Sequence, residues 1–395
     1  MTTHKIMCQK TRDKLKVLHV TPSMSPAWGG PALAVAELAA ASAGQGIQCE
    51  ILTTHGFRVG SGQVPTPGIP IYSFDAGFGV AARTWTGYSR KLVRFLRDRV
   101  TDFDLVHIHE IWHFPAYAAC CAARAHRLPY VFTIHGELSD WGLRQKALKK
   151  RIYRFFVLDR MLREAGALHA ITRTEQEQIR KLGFDTPVVV APNGTKEFSL
   201  PSPKKLTQRF PQLNGKRVVL FLGRLHPKKG LDILARSFAA IAGRFDDLAL
   251  LVVGPDKFGT RQDMEAILNA AGLLERTVFT GLLTGEEKLA ALSCADLFVL
   301  PSHSDVLGIA VLEALAARVP VVITTGCEFP EVSEYGAGLI AEADTASIAQ
   351  AIEQLLTDKE LRRSMGEQGH KLVTERYTWQ AAAATMSALY RTLVA

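Results

Sequence analysis

The stretch RVVLFLGRLHPKKG, residues 217–230, marks the point at which a strand–helix pattern begins for the second time in this chain. Its first seven residues are typical of a strand buried on both faces, and its loop opens onto helical sequence. Similar strands are predicted after it at 248–254, 277–281, 297–302, 319–324 and 337–342. This alternation predicts a parallel sheet covered by helices on both faces.

The same pattern fills the first half of the chain. Residues 15–23 are predicted to form a strand, followed by a Gly-rich turn and a helix that begins at Pro31. Further strands are predicted at 49–54, 105–112, 130–136, 167–172 and 187–194. The sequence therefore predicts an α/β protein with two Rossmann-like, doubly wound parallel-sheet domains that face a central cleft.

The predicted boundaries follow from these patterns. We expect a basic tail over 1–14, an N-terminal domain over 15–198 and a C-terminal domain over 217–378. Residues 199–216 are rich in Pro and Lys and lack a clear period, which predicts a linker. The Ala-rich helical segment 379–395 is not placed by its pattern alone, and packing back onto the N-terminal domain is one expectation.

The composition is that of a globular protein, with 47% hydrophobic and 22% charged residues. The six cysteines form no C-x-x-C pair, which favours a reducing compartment. No apolar region follows the basic first sixteen residues, and no run approaches the ~18 apolar residues of a membrane span. We therefore expect a cytoplasmic protein that is at most peripheral to a membrane.

The net charge of +9 is unevenly distributed. Residues 1–200 hold 26 Lys and Arg against 16 Asp and Glu, and the remainder holds 21 against 22. No helix-turn-helix, zinc-finger or RNA-binding pattern accompanies the basic half, so nucleic acid is not an expected partner.

The first candidate binding residues follow the first predicted strand, in Trp28-Gly29-Gly30-Pro31. Glycines there let the backbone approach an anion at a helix start, where free N–H groups point outward. The spacing differs from G-x-G-x-x-G, which argues against a dinucleotide cofactor. A tight turn without a ligand is the alternative, and the position between a strand and a helix favours ligand binding.

The opening stretch carries the next candidates, Arg224 and Lys229, where its strand ends. A planar guanidinium and a compact ammonium group suit a diphosphate. A solvated basic loop is the alternative. The position at a strand's carboxyl end, before a helix, favours a phosphate site.

The strongest motif is PSHSDVLGIAVLEA, residues 301–314. Asp305 precedes a predicted helix start at Gly308 and Ile309. Glu313 follows Asp305 by eight positions, about two helical turns. The helix N-terminus can face a pyrophosphate, while the two acids accept hydrogen bonds from sugar and ribose hydroxyls. An N-cap Asp with an ordinary helix Glu is the alternative. Glu313 lies among apolar residues and needs a specific partner there.

In this combination and order, the motifs resemble glycosyltransferase family 4, retaining enzymes of the GT-B fold. The resemblance runs from Val17 to about Tyr390. It includes Gly29-Gly30, His135-Gly136, Pro192-Asn193-Gly194, Gly223-Arg224 through Lys229-Gly230, Asp305 through Glu313, and Pro330-Glu331-Val332.

The resemblance implies transfer of a sugar from a nucleotide-sugar donor to a glycan or lipid-linked acceptor, with no metal or other cofactor, in bacterial-type polysaccharide or glycoconjugate assembly. It implies that Asp305 and His135 contact the transferred sugar and that Glu313 contacts the donor ribose. Asp305 stands where the family has Glu. The donor base and sugar, the acceptor and linkage, and the oligomeric state stay open.

Two further features bear on the acceptor side. His107 and His109 alternate on a strand and face the same side. Such a pair can bind a metal, but no third ligand stands at suggestive spacing, so packing or acceptor contact is expected for His109 and, nearby, for Trp112. Residues 143–163 hold eight cations and one acid, which predicts a basic amphipathic helix. A solvated face is the default for such a helix, and an anionic membrane surface is the alternative.

Two other functions stay open. A nucleotide-sugar epimerase of the same fold would need no acceptor. A catalytically weakened nucleotide-binding protein would serve as a partner for another transferase. Asp305 is the sequence feature that favours the second of these, while Arg224, Lys229, Glu313 and His135 speak against it.

Overall fold

The computed structural model describes residues 14–56, 62–77, 85–256 and 258–395. The predicted basic tail lies outside these ranges except for Lys14. The described residues form two α/β domains, each built on one parallel sheet. The predicted fold is confirmed.

The N-terminal sheet has seven strands in the order β3-β2-β1-β4-β5-β6-β7. They are β1 (Lys16–Val20), β2 (Gln48–His55), β3 (Ile71–Asp75), β4 (Leu105–His109), β5 (Tyr130–Thr133), β6 (Ala167–Ala170) and β7 (Val188–Val190). The sequence did not predict β3, because this edge strand is only partly buried and lacks a continuous apolar run.

The C-terminal sheet has six strands in the order β10-β9-β8-β11-β12-β13. They are β8 (Arg217–Leu222), β9 (Leu248–Val253), β10 (Thr277–Gly281), β11 (Leu297–Leu300), β12 (Val321–Thr324) and β13 (Gly338–Ala341). All six were predicted, because helices cover both faces of a parallel sheet and its strands read as continuous apolar runs.

Helices connect the strands of both sheets. Those of the N-terminal domain are Gly30–Gly44, Arg90–Arg99, Phe114–Ala125, Asp140–Arg144, Ala147–Tyr153, Asp159–Arg163 and Arg173–Lys181. The later ones are Lys204–Arg209, Leu231–Ala242, Thr260–Ala270, Gly285–Cys294, Ile309–Ala316, Glu331–Glu334, Thr345–Thr357, Lys359–Arg376 and Trp379–Val394. No helix within the described ranges has both the length and the apolar character needed to cross a bilayer.

The segment predicted as a linker is partly helical. Within 199–216, the helix Lys204–Arg209 packs on the helix Gly285–Cys294. Leu206 and Leu213 are buried in the core of the C-terminal domain. Phe210 is partly buried against the same core, so the apolar positions 206, 210 and 213 attach this segment to the C-terminal domain.

The chain crosses between the domains twice. After the C-terminal domain, the helix Trp379–Val394 returns to pack against the helix Gly30–Gly44, and Tyr390 is fully buried there. The two crossings touch: Thr195 pairs with Thr378, and Thr195 N donates to Tyr377 O at 2.8 Å.

In both sheets the strand order reverses beside the first strand. β1 lies between β2 and β4, and β8 lies between β9 and β11. Connections leave such a switch point toward opposite faces, so a crevice opens at the carboxyl ends of the strands. The loops after β1, β4, β8 and β11 are therefore the places to look for a site.

Candidate active site

A cavity of about 440 Å³ lies between the two domains, where the loops at the carboxyl ends of both sheets meet. Nine of the eleven candidate residues from the sequence line it, so the structure brings together residues almost 300 positions apart. They are Gly29, Gly30, His135, Arg224, Lys229, Asp305, Gly308, Ile309 and Glu313.

The loops after β1 and β8 meet across the cavity at Gly29 and Arg224. Gly29 has a φ of 88°, and a Cβ at this position would lie 2.9 Å from Arg224 Nε. Glycine is required here both by the left-handed backbone and by the approach of the guanidinium. Gly30 begins the helix Gly30–Gly44, so the free N–H groups of that helix start lie at the cavity.

Lys229 and Asp305 form an ion pair at the centre of the C-terminal wall. Lys229 Nζ lies 2.6 Å from Asp305 Oδ2, and the two side chains are only 12% and 13% exposed. Burial alone would raise the pKa of Asp305, but Lys229 and other nearby cations hold that pKa below its ordinary value. Asp305 is therefore ionised in the folded protein at neutral pH.

A third cation of the same loop, Lys228, was not singled out from the sequence. It lines the cavity, and burial lowers its pKa to about 8. Its backbone carbonyl accepts hydrogen bonds from His303 N and Ser302 Oγ, which ties this loop to the one after β11. Two consecutive lysines carry no sequence signal that tells which one faces a ligand.

The packing of Asp305 also explains Gly308. A Cβ at Gly308 would lie 2.7 Å from Asp305 Oδ2. The helix Ile309–Ala316 begins after this glycine, and both Gly308 and Ile309 line the cavity. The partial positive charge of the helix N-terminus therefore faces the same space as the cations of the loop after β8.

Glu313 lies one turn into that helix and has the partner that its apolar neighbours require. Lys288 Nζ donates to Glu313 Oε1 at 2.6 Å, and Glu313 is 14% exposed. A carboxylate has more lone pairs than one ammonium group uses, so Glu313 can still accept hydrogen bonds from ligand hydroxyls.

His135 lines the N-terminal side of the cavity in a left-handed backbone conformation, with a φ of 54°. Burial lowers the pKa of His135 to about 3, so its ring is neutral at physiological pH. The turn is held from below by Glu175, a buried residue that the sequence reasoning missed. Glu175 accepts hydrogen bonds from Gly136 N at 2.5 Å and from Ile171 N at 2.6 Å. The T-x-x-E spacing of Thr172 and Glu175, typical of a helix start, was the available signal.

The two acceptor-side candidates do not line the cavity. His109 is buried beneath it, with Nδ1 at 3.3 Å from His135 Nε2. Trp112 packs against the helix Ala147–Tyr153, with Lys150 Nζ at 4.6 Å from its ring centre. The strand alternation turns His109 inward. Acceptor contact by His109 and Trp112 stays a prediction.

Two carboxylates without a sequence signal do line the cavity, Glu110 after β4 and Glu137 after β5. Trp28 Nε1 donates to both oxygens of Glu110, at 2.9 and 3.2 Å, and Ile111 N donates to Glu137 Oε2 at 2.5 Å. Burial raises the pKa of Glu110 to about 7, and burial together with Glu110 raises the pKa of Glu137 well above its ordinary value. The N-terminal wall is acidic, opposite a basic C-terminal wall.

Two groups within the described residues bring three possible metal ligands within 4.8 Å of one another: His19 with His107 and His109, and Glu110 with His113 and Glu137. The first group corrects the expectation that the H-x-H pair lacks a third ligand, because β1 places His19 beside it. Both ring nitrogens of His107 already lie 2.6 Å from hydroxyl groups, of Tyr390 and Thr133, so this group serves packing. The second group offers two carboxylates that line the cavity and the imidazole of His113 beside them.

The predicted basic helix at 143–163 is interrupted. It ends at Arg144 and resumes at Ala147, after Lys146 in a left-handed conformation. From there it continues through a wider turn at Arg154–Leu158. Four of its large apolar side chains point to solvent and are 52–78% exposed: Leu148, Ile152, Phe155 and Phe156. The segment therefore combines a basic surface with an exposed apolar one.

Two family models match this sequence. The one described as a glycosyl transferase 4-like domain matches residues 29–194, and the one described as glycosyl transferases group 1 matches residues 204–372. Phosphatidyl-myo-inositol mannosyltransferase of Mycobacterium leprae is 31% identical over 297 residues, 74% of each chain. D-inositol 3-phosphate glycosyltransferase of Corynebacterium glutamicum is 25% identical over 420 residues, 96% of each chain.

Solved structures share the fold over nearly the whole length. Sucrose-phosphate synthase from Thermosynechococcus elongatus superposes with a TM-score of 0.80 at 20% identity, covering 96% of this chain and 99% of that one. The Anabaena protein HepE, solved with UDP and glucose, gives a TM-score of 0.78 at 19% identity, covering 96% and 100%. At this identity the likeness concerns the fold.

Proposed function

Because this chain belongs to glycosyltransferase family 4, we propose that it moves a sugar from a nucleotide-sugar donor to a glycan or lipid-linked acceptor, with retention of the anomeric configuration and without a divalent metal. One observation carries the proposal: Arg224, Lys229 and the start of the helix Ile309–Ala316 converge on one cavity. Cationic side chains and a helix N-terminus form a binding site for a diphosphate.

The lining residues predicted from the sequence have the following roles in this proposal. Arg224 and Lys229 bind the diphosphate, with the Gly29-Gly30 loop against it, and Glu313 accepts hydrogen bonds from the ribose hydroxyls. Asp305 and His135 hold the transferred sugar. The charges that stabilise the leaving diphosphate are already in place before the reaction, which lowers the barrier without reorganisation.

The proposed chemistry balances without a protein nucleophile. The bond between the anomeric carbon and the diphosphate oxygen breaks, and the acceptor oxygen bonds to that carbon from the same face. The acceptor hydroxyl proton passes to the departing phosphate oxygen. Closure of the two domains would exclude water, so that the sugar reaches the acceptor instead of being hydrolysed.

The acceptor side carries the second part of the proposal. The segment 147–163 presents basic and apolar side chains to solvent, which suits an anionic membrane surface that holds a lipid-linked acceptor. The name of one relative, phosphatidyl-myo-inositol mannosyltransferase, indicates that it acts on a lipid. We therefore place the protein in the cytoplasm, peripheral to the inner face of the membrane.

The experiment is a thermal-shift screen of UDP-, GDP- and ADP-sugars, followed by nucleotide release from the best donor with and without an extracted lipid and glycan pool. We expect one nucleotide class to raise the Tm and nucleotide release to depend on the acceptor pool. Stabilisation grows with ligand as RT ln(1 + [L]/Kd), about 2.7 kcal/mol at 100 Kd. Release of an epimerised sugar without acceptor, or binding without turnover, would contradict the proposal.

A further inference from the structure

Two hydrogen-bonded chains of buried side chains lie beneath the cavity. Both are on the face of the N-terminal sheet that the helix Trp379–Val394 covers. One joins Tyr390, His107, Thr133, His169 and the carbonyl of Ala191; the other joins His19, His109 and His135. Only the second reaches a residue that lines the cavity.

The direction of the first chain is fixed by its last member. The Ala191 carbonyl can only accept, so His169 donates through Nε2–H at 2.8 Å. His169 Nδ1 must then accept from the Thr133 hydroxyl, at 2.8 Å, and Thr133 in turn accepts from His107 Nε2–H, at 2.6 Å. The Tyr390 hydroxyl completes the chain by donating to His107 Nδ1.

The direction of the hydrogen bonds in the second chain is decided at its buried end, His19. His19 Nδ1 lies 3.1 Å from His109 Nε2, and His109 Nδ1 lies 3.3 Å from His135 Nε2. Burial lowers the pKa of His19 to about 3 and that of His109 well below its ordinary value, so each ring carries one proton. Both hydrogen bonds can form only if all three protons are on Nδ1 or all three are on Nε2.

These two arrangements differ at His19 Nε2, which is buried and has no hydrogen-bond partner among the residues that the structure describes. Protons on Nε2 throughout would leave an N–H group there with no acceptor, and orphaned buried N–H groups are rarer than under-satisfied acceptors. Protons on Nδ1 throughout leave only the lone pair of His19 Nε2 without a donor. Each ring therefore donates through its Nδ1–H, His19 to His109 and His109 to His135.

We propose that His109 and His19 are positioning residues that hold His135 in its Nδ1–H tautomer, so that His135 donates a hydrogen bond into the cavity. No hydrogen bond from His135 Nδ1 to another residue is found within the described ranges, and the residue lines the cavity. The ligand atom that it meets is an acceptor, such as a sugar or phosphate oxygen. That last assignment rests on the proposed function, whereas the tautomer does not.

The test is ¹⁵N NMR of the histidine rings in selectively labelled protein, in which the one-bond and two-bond couplings identify the protonated nitrogen. We expect His135, assigned by the His135→Gln variant, to carry its proton on Nδ1. In His109→Leu, which removes the donor, the signal should shift toward the Nε2–H tautomer that neutral imidazole favours in water. His109→Asn, which can still donate from the Nδ1 position, should restore Nδ1–H.

Tyr390→Phe is the matched control, because it alters a buried member of the first chain and leaves the second intact. It should not change the His135 tautomer. With a donor in hand, kcat/KM should fall roughly 2- to 10-fold in His109→Leu, as for one lost hydrogen bond, and recover in His109→Asn. An Nε2–H signal for His135 in the wild type overturns the proposal, whatever the enzyme's substrate. A correct tautomer in a protein that transfers no sugar would instead contradict the proposed function.

Discussion

Lys229 Nζ and Asp305 Oδ2 lie 2.6 Å apart, so a residue proposed to bind the diphosphate is neutralised by a residue proposed to hold the sugar. Any diphosphate that binds Lys229 must compete with this carboxylate. We therefore expect Asp305→Asn to bind free nucleoside diphosphate more tightly, roughly 3- to 10-fold, which corresponds to about 0.6–1.4 kcal/mol. Transfer should nevertheless fall strongly, because the sugar loses its acidic partner.

Calorimetry with free nucleotide and a turnover assay on the same variant separate the two effects. Glu313→Gln is the matched control, because it removes an acid that pairs with Lys288 instead of Lys229. It should not tighten diphosphate binding. Weaker nucleotide binding in Asp305→Asn would show that this carboxylate does not compete for Lys229.

Arg224 should contribute as much to the affinity for free nucleotide as to that for the donor, because it lines the cavity beside Gly29. Arg224→Ala should weaken both by roughly 1.5–3 kcal/mol, the value of a hydrogen bond to a charged group. Arg236→Ala, which removes an exposed arginine paired with Asp232, provides the comparison and should leave calorimetric affinity unchanged. Equal affinities in both variants would remove Arg224 from the proposed site.

Turnover should survive excess EDTA, because cations and a helix start already face the phosphates. Two closely spaced acids that could be considered as metal ligands, Asp102 and Asp104, do not line the cavity: Asp102 pairs with Arg99, and Asp104 accepts from Lys16 N at 2.8 Å. Loss of turnover in EDTA that magnesium or manganese restores would refute metal independence. The carboxylates Glu110 and Glu137 would then be the first metal ligands to replace, each with Gln.

The free energy of unfolding should depend on pH through two opposed sets of buried groups. The five histidines of the two chains have lowered pKa values in the folded state: His19, His107, His109, His135 and His169. Below about pH 6.5 the unfolded chain therefore binds more protons than the folded one, and stability falls as the pH falls. Three acids have raised pKa values and act in the opposite direction between about pH 4.5 and 7: Glu110, Glu137 and Glu175.

The acids stop compensating below about pH 4.5, where their unfolded forms are also protonated. We therefore expect a shallow loss of stability from pH 6.5 to 4.5 and a steeper loss below, measured by urea unfolding at each pH. Glu175→Gln removes one compensating group, so the loss between pH 6.5 and 4.5 should become steeper in that variant. A stability that rises as the pH falls below 4.5 would contradict this account.

The segment 147–163 should bind vesicles that contain anionic lipid, and the binding should weaken as salt rises. Each cation near such a surface contributes about 1 kcal/mol, screened over roughly 8–10 Å. The variant in which Lys149 and Arg151 of this segment and the adjacent Lys146 are all changed to Gln should lose this salt-dependent part of the binding in co-sedimentation. Lys150 is left unchanged because its Nζ donates to Gly142 O at 2.6 Å.

Phe155→Ser with Phe156→Ser tests the apolar contribution separately, since these two rings are 78% and 72% exposed. This variant should keep its salt dependence and bind more weakly at every salt concentration. Arg94→Gln with Arg97→Gln, on an exposed helix face elsewhere in the same domain, is the charge control and should bind as the wild type does. If the wild-type protein does not bind anionic vesicles at low salt, the segment is only a solvated surface.

The sequence predicted the parts of the site that depend on strand ends. Arg224 and Asp305 follow β8 and β11, neighbouring strands at a switch point, and the continuous apolar runs of these strands are easy to recognise. The strand order explains why residues 81 positions apart line one cavity. β3 escaped prediction because an edge strand keeps no continuous apolar run.

Contacts between a side chain and a distant part of the chain could not be predicted from the sequence. Nothing in the sequence distinguishes Glu110 or Glu137 from the other acids of the chain, because their significance comes from burial and from facing each other. Glu175 was recognisable as a helix-start residue, but its bond to Gly136 N joins this helix to a loop 39 positions away. Pattern reasoning identifies which strand end a residue occupies, whereas side-chain pairing depends on packing that only the folded chain supplies.

The pairing of Thr195 with Thr378 restricts how the cleft can open. A domain joined to its neighbour by one segment of chain can swing and twist freely, but here two segments cross side by side and are hydrogen-bonded to each other. Opening of the two domains about an axis through this pair leaves both segments unstretched. Twisting of the domains about the direction of these segments would instead separate Thr195 from Thr378. The motion is thereby reduced toward a single degree of freedom.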